Sequence, residues 1–238
     1  MKKIVFIIIC FVSYSALFAS TTYSAGADGF ISVPAVTTPY SKKVTAGFHY
    51  TGFDSHTLTP AFNFTPVSKE KFGLEFGAAW DILPDNSPAL APILSGVKLR
   101  FSKSAALGGW FEIPVHNSQG LAFNLYFAWQ VNFKLGRMGS GSTSLGIGYT
   151  FQSALRRDIN FHIGFMQQAF IPELFLVADF ANYPYRHSGP GMLNQSVQRG
   201  IVNIGLRAVL VSFLSLDLAG VDLMDQTRGL RGSLNLYF

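Results

Sequence analysis

The stretch GLAFNLYFAWQVNFKLG, Gly120 to Gly136, decides the fold class. Leu121, Phe123, Leu125, Phe127, Trp129, Val131, Phe133 and Leu135 form one set. Ala122, Asn124, Tyr126, Ala128, Gln130, Asn132 and Lys134 form the other. A period of two is that of a strand with one apolar and one polar face. A sandwich strand usually runs about 5–6 residues and a membrane-crossing strand about 9–11. This alternation outlasts both, so it points to a strand that crosses a bilayer rather than one in a secreted β-sandwich.

The same pattern recurs along the chain. Residues 44–53 and 57–64 form an expected hairpin, with Pro60 weakening the second arm because proline cannot donate to a ladder. Further alternating segments run over 71–82, 93–101, 107–115, 143–152, 159–167, 174–182, 200–210, 214–223 and 229–238. In 174–182, Phe175 and Val177 share a face with Asp179. The total is about twelve strands, an even number, as in single-chain bacterial barrels. The two longest connectors, 83–92 and 184–199, fall on one side of such a barrel, expected to be the outer side. The short ones, 65–70, 102–106, 136–142, 168–173 and 211–213, fall on the other, which matches short periplasmic turns. The fold class is therefore all-β, a transmembrane antiparallel β-barrel.

Composition agrees. Hydrophobic residues make up 49%, aromatics 15% and charged residues 13%, where a soluble domain carries about 25% charged residues. No segment after the N-terminus offers the roughly 18 uncharged apolar residues of a spanning helix; the nearest, 201–224, is interrupted by Arg207, Asp217 and Asp222. The net charge of +5 is spread along the chain, with no basic cluster of the kind that marks a nucleic-acid partner.

Residues 1–19 read as a secretory signal peptide: Lys2 and Lys3, then an apolar run over 4–12, then smaller residues to Ala19. Cys10, the sole cysteine, lies inside it. The mature chain is thus expected to hold no disulfide or thiolate metal site. Residues 20–43 form an N-terminal segment, expected in the periplasm or as a lumen plug, and 44–238 form the barrel.

The chain closes on GLRGSLNLYF, residues 229–238, alternating up to a terminal aromatic. A barrel's last strand pairs with its first and leaves no edge, so this ending fits closure. Leu230, Leu234, Leu236, Tyr237 and Phe238 also resemble the C-terminal assembly signal of bacterial outer-membrane barrels. That resemblance implies the outer membrane of a diderm bacterium, outer-membrane lipid around the barrel, and the barrel assembly machinery as a partner, with Leu234, Leu236 and Phe238 carrying the signal. A second resemblance lies in Gly29-Phe30-Ile31-Ser32-Val33-Pro34-Ala35 followed by residues 44–50, which is similar to the opening of YjbH-type exopolysaccharide-associated barrels. This chain is much shorter than those proteins.

The inward polar face carries the acids Glu75, Asp81, Glu112, Asp179 and Asp217 and the bases Lys98, Arg100, Lys134, Arg207 and Arg231. Short turns predict Arg207 opposite Asp217 and Lys98 opposite Glu112; across 83–92, Arg100 is expected opposite Glu75. Facing opposite charges help fix register. The ten charges sum to zero, which excludes a strongly anion- or cation-selective pore. Two functions fit such a lining: a narrow porin-like channel or binding site for a small polar solute, or a non-conducting structural or surface-interaction barrel presenting its long loops. Tyr50, Phe53, Trp80, Tyr149, Phe151, Tyr183, Tyr185 and Phe238 fall near strand ends and suit interfacial girdles.

Enzyme signals are thin. His116-Asn117-Ser118-Gln119-Gly120 resembles the His-x-Ser-Asn-Gly stretch of outer-membrane phospholipase A, with Gln119 in place of the asparagine and no third partner to orient the histidine. A lipid-modifying enzyme is the least favoured class, and the chain is expected not to be an enzyme. His49, His56, His162 and His187 lack metal-ligand spacing, and no cofactor motif is present.

Overall fold

In the computed structural model each alternating segment pairs antiparallel with its neighbour in sequence, and the last pairs with the first. The structure describes residues 21–22, 28–36, 44–52, 56–82, 92–114, 122–136, 139–152, 159–182, 200–224 and 228–238. The expected signal peptide 1–19, the loop segments 83–91 and 183–199, and the His116–Gly120 stretch lie outside them, as do Phe53, Tyr183 and Tyr185.

Two short strands come first, β1 (Thr21–Thr22) and β2 (Asp28–Gly29), paired with each other. Twelve strands then close the barrel: β3 (Val44–Gly52), β4 (Thr57–Lys69), β5 (Phe72–Trp80), β6 (Pro92–Arg100), β7 (Ala105–Pro114), β8 (Ala122–Lys134), β9 (Ser140–Gln152), β10 (Ile159–Ala169), β11 (Ile171–Ala181), β12 (Ile201–Val211), β13 (Leu214–Val221) and β14 (Gly229–Tyr237). Closure runs along β14 and β3 from Leu230↔Gly52 to Tyr237↔Thr45. Phe238 completes it, exchanging both main-chain hydrogen bonds with Val44 at 2.9 and 3.2 Å. The terminal aromatic is therefore part of the seam, and the barrel is left with no open edge.

Strand ends differ from the sequence reading in informative places. Thr65 to Glu70 is not a connector: β4 runs on to Lys69, with a bulge between Phe64 and Val67. Pro60 sits within β4, and the ladder to β5 begins at Ala61↔Ala79, returning beyond the proline only as the bridge Leu58↔Ile82. The missing N–H is absorbed by that gap. Residues 168–173 reduce to Phe170 alone between β10 and β11, at φ +60°, a left-handed value uncommon outside glycine.

The two faces separate by exposure. Leu125, Phe127 and Trp129 of β8 are 40–46% exposed, while Asn124, Tyr126 and Gln130 are 2–3% exposed. Each hairpin on the side of the chain ends also presents an apolar residue outward: Phe72, Phe101, Leu135, Phe170 and Phe213, with Phe238 at the seam. At the opposite end Tyr50, Trp80 and Phe151 are exposed on the outer face, whereas Tyr149 is half-buried. An apolar outer band rimmed by aromatics is the surface a bilayer solvates. Outside that band, at the turns, Lys103 pairs with Glu70 and holds its carboxyl below the usual range, first by hydrogen bonding and then by charge.

Candidate functional site in the barrel lumen

The lumen is occupied. Residues 28–36 lie against inward side chains of β6, β8, β10, β11, β12 and β14, and Phe30, Ile31, Val33, Ala35 and Val36 are all 6% exposed or less. Residues 29–34 turn back on themselves, with Phe30 donating its N–H to the Val33 carbonyl at 2.9 Å and Gly29 bridging Pro34.

Asp179 of β11 holds the turn. One of its oxygens, Oδ2, accepts the N–H groups of Ile31 (2.7 Å), Ser32 (2.6 Å) and Val33 (3.3 Å). The other, Oδ1, accepts the Ser32 hydroxyl at 3.0 Å and the Asn203 amide at 2.6 Å. Successive N–H groups converging on one anion form the concavity that turns offer to anions. Here the anion belongs to the wall and the concavity to the segment. Two guanidinium groups take the carbonyls next to it: Arg207 donates to Phe30 at 3.2 Å and Arg231 to Ile31 at 3.0 Å. Further along, Lys98 donates to the Ala35 carbonyl at 3.1 Å and Gln130 accepts the Val36 N–H at 3.1 Å. The wall thus grips the segment mainly by its main chain.

An apolar patch completes the contact. Phe175, Val177 and Val209 belong to the same buried cluster as Phe30 and Ile31, together with Leu94, Trp110 and Tyr126. Gly164 of β10 makes this possible, because any Cβ there would collide with the Phe30 ring. Gly108 likewise leaves room for the Tyr126 phenol.

All the charged residues predicted from sequence except Lys134 turn inward, but not all in the predicted pairs. Arg207 does face Asp217, with Nε 3.0 Å from Oδ1 and an Nη2 hydrogen bond of 3.2 Å to Oδ2. Lys98 does not face Glu112: the β6–β7 hairpin closes at Arg100↔Ala106, which sets Lys98 opposite Gly108 and Glu112 opposite Leu94. Nor does Arg100 face Glu75. It sits opposite Gly73 and donates to the carbonyls of Lys69, Glu70 (2.7 Å) and Phe72 (3.4 Å), bracing the β4–β5 turn. Lys98 faces Glu75 instead and pairs with it at 3.1 Å. Both corrections are slips by an even number of residues, which keep every side chain on its face but change its partner. Asp81 accepts the Thr59 hydroxyl at 2.5 Å. Lys134 is exposed at the strand end and lines no part of the buried lumen.

Several contacts with the segment escaped the sequence reading: those of Gln130 and Asn203, which it placed on the inward faces of their strands without a partner, that of Ser32, and the apolar wall of Phe175 and Val177. The available signal was the presence of Phe175 and Val177 on the face of Asp179, since an inward apolar patch needs a cover. His49 also meets Ser233 at 2.9 Å in the lumen, through Nδ1. That pair is buried rather than on the lipid-facing rim where a lipid-modifying site would need it.

Arg207 and Asp217 give a test of the buried charges. Either single change to alanine should cost about 3 kcal/mol, the lower part of the range for a broken buried pair, because the Asp217 side chain keeps 14% exposure. The double change should cost less than the sum of the two. Denaturant unfolding in lipid vesicles measures this, and strictly additive costs would show that the two charges are not coupled.

No protein-family profile matches the chain, and no curated protein sequence matches it either. Solved structures do. The KdgM porin in complex with disordered oligogalacturonate superposes with a TM-score of 0.54 at 12% identity, over 82% of this chain and 99% of that one. The KdgM porin by itself gives 0.52 at 12% identity, with the same coverage. With the apolar outer band, this decides the matter. The chain has the fold of an outer-membrane, porin-type β-barrel. At that identity the likeness speaks for the fold alone, so the lumen's chemistry has to be read from this chain's own residues.

Proposed function

We propose that this barrel is a channel for small polar solutes, closed in the state described by residues 28–36. The observation that carries the reading is the nature of the wall. Asp179, Arg207, Arg231, Lys98 and Glu75 are turned into an interior that a purely structural barrel of this size could fill with apolar side chains. Exchanging buried ion pairs for well-packed hydrophobes is often neutral or stabilising, so their retention points to a use other than stability. A lining of both signs suits a neutral or zwitterionic solute better than a polyanion such as oligogalacturonate, the saccharide named with the KdgM complex. The outer band would face outer-membrane lipid, and β14 with Phe238 is the segment we assign to recognition by the assembly machinery.

One observation favours the second reading, a non-conducting barrel: Val33 and Val36 have no exposed surface, so the segment packs as a core would. Planar-bilayer recording separates the two. The full chain should stay near baseline, and a chain lacking residues 28–36 should conduct steadily in its heat-modifiable, folded form. Silence from that folded, shortened barrel would support the structural reading instead.

A further inference from the structure

The grip on Ile31 defines a ligand class more narrowly than "small polar solute". Its N–H is held by Asp179 at 2.7 Å and its carbonyl by Arg231 at 3.0 Å. The preceding carbonyl, of Phe30, is held by Arg207 at 3.2 Å. A carboxylate and one guanidinium group, those of Asp179 and Arg231, thus bracket one amino-acid unit, although that unit carries no charge on its main chain; the Arg207 guanidinium lies on its amino side. A neutral amide makes charge-assisted bonds to these partners but leaves their attraction for an opposite charge unused. A free α-amino acid places an ammonium and a carboxylate at the same N–Cα–C spacing. The pocket for the side chain is apolar, because Ile31 is 6% exposed within the cluster that includes Phe175 and Val177.

We infer that Asp179 and Arg231 form a binding site for free α-amino-acid zwitterions with an aliphatic side chain, and that Ile31 is its resident occupant. The ammonium sits on Asp179 and the carboxylate on Arg231, while Arg207 stays paired with Asp217. Asn203, which donates to Asp179 at 2.6 Å, holds the carboxylate in place. This site rests on the channel reading above and gives it a solute class.

The test uses the full chain first. Val33→Cys, made in a Cys10→Ser background, reports the segment's position through its reaction with a membrane-impermeant maleimide. Isoleucine should speed that reaction by competing for the site, while maltose and N-acetyl-isoleucine amide should not. Arg231→Gln should raise the concentration of isoleucine needed by about tenfold, the effect of losing one charged hydrogen bond. Equal acceleration by the neutral amide, or none by the zwitterions, would overturn the inference. The barrel lacking residues 28–36 separates this from the channel reading. If that barrel conducts and isoleucine reduces its current no more than maltose does, the channel stands and the zwitterion site falls. If it is silent yet isoleucine still accelerates labelling in the full chain, the site stands and the channel falls.

Discussion

Asp179→Ala should open the lumen to water. The substitution removes the acceptor of three consecutive N–H groups, those of Ile31, Ser32 and Val33, and of the Ser32 hydroxyl. Each hydrogen bond to a charged group is worth about 1.5–3 kcal/mol, and a buried donor left without a partner adds its own desolvation cost. No neighbouring strand needs the Asp179 side chain for its ladder, since Asp179 pairs through its main chain with Gly164 and Asn203. The barrel should therefore persist while the segment loosens. A cysteine at Val33, fully buried in the parent, should react with an impermeant maleimide at least about tenfold faster in the Asp179→Ala background, given the free energy of even one such bond. Heat-modifiability in detergent gels should be unchanged. An unchanged labelling rate would mean that apolar packing alone retains residues 28–36.

The second large effect lies on the opposite face. Phe127 is 40% exposed near the middle of β8, where the outer wall meets the bilayer centre. Phe127→Arg should cost about 2–4 kcal/mol, falling toward zero for the same change near either end of the strand. Gln130, one turn of the pleat inward, responds differently. It is buried and accepts the Val36 N–H, so arginine there should spare insertion and displace the segment. Folding yields into vesicles for the two variants check the register directly. Loss of insertion with Gln130→Arg and tolerance of Phe127→Arg would reverse the inside and outside of every strand.

Much of this architecture could be read from residue order. The alternation over 120–136 has a period that only a strand satisfies, and its length suits a bilayer. Because the period is two, the assignment of faces survives small errors in pairing. That is why Glu75, Lys98, Arg100 and Glu112 turn inward as expected even though two of the three proposed partnerships were wrong. The partner of a charge depends on where each hairpin turns. A turn over 102–104 instead of a looser one moves Lys98 from Glu112 to Gly108, and nothing local in composition distinguishes the two. Only the Arg207–Asp217 pair, joined by the short turn at 212–213, was close enough in sequence to be read correctly.

The sequence by itself determined a twelve-stranded all-β barrel, its lipid-facing and inward sets, and closure through the final strand, because each follows from a repeating local pattern or from the need to leave no strand edge unpaired. Only the tertiary structure decided what fills the interior. Residues 28–36 have no period to read, and Asp179, Asn203, Arg207 and Arg231 meet them from positions 146 to 200 residues away. Such contacts arise from the diameter and register of the closed barrel, which exist only after every strand has been placed.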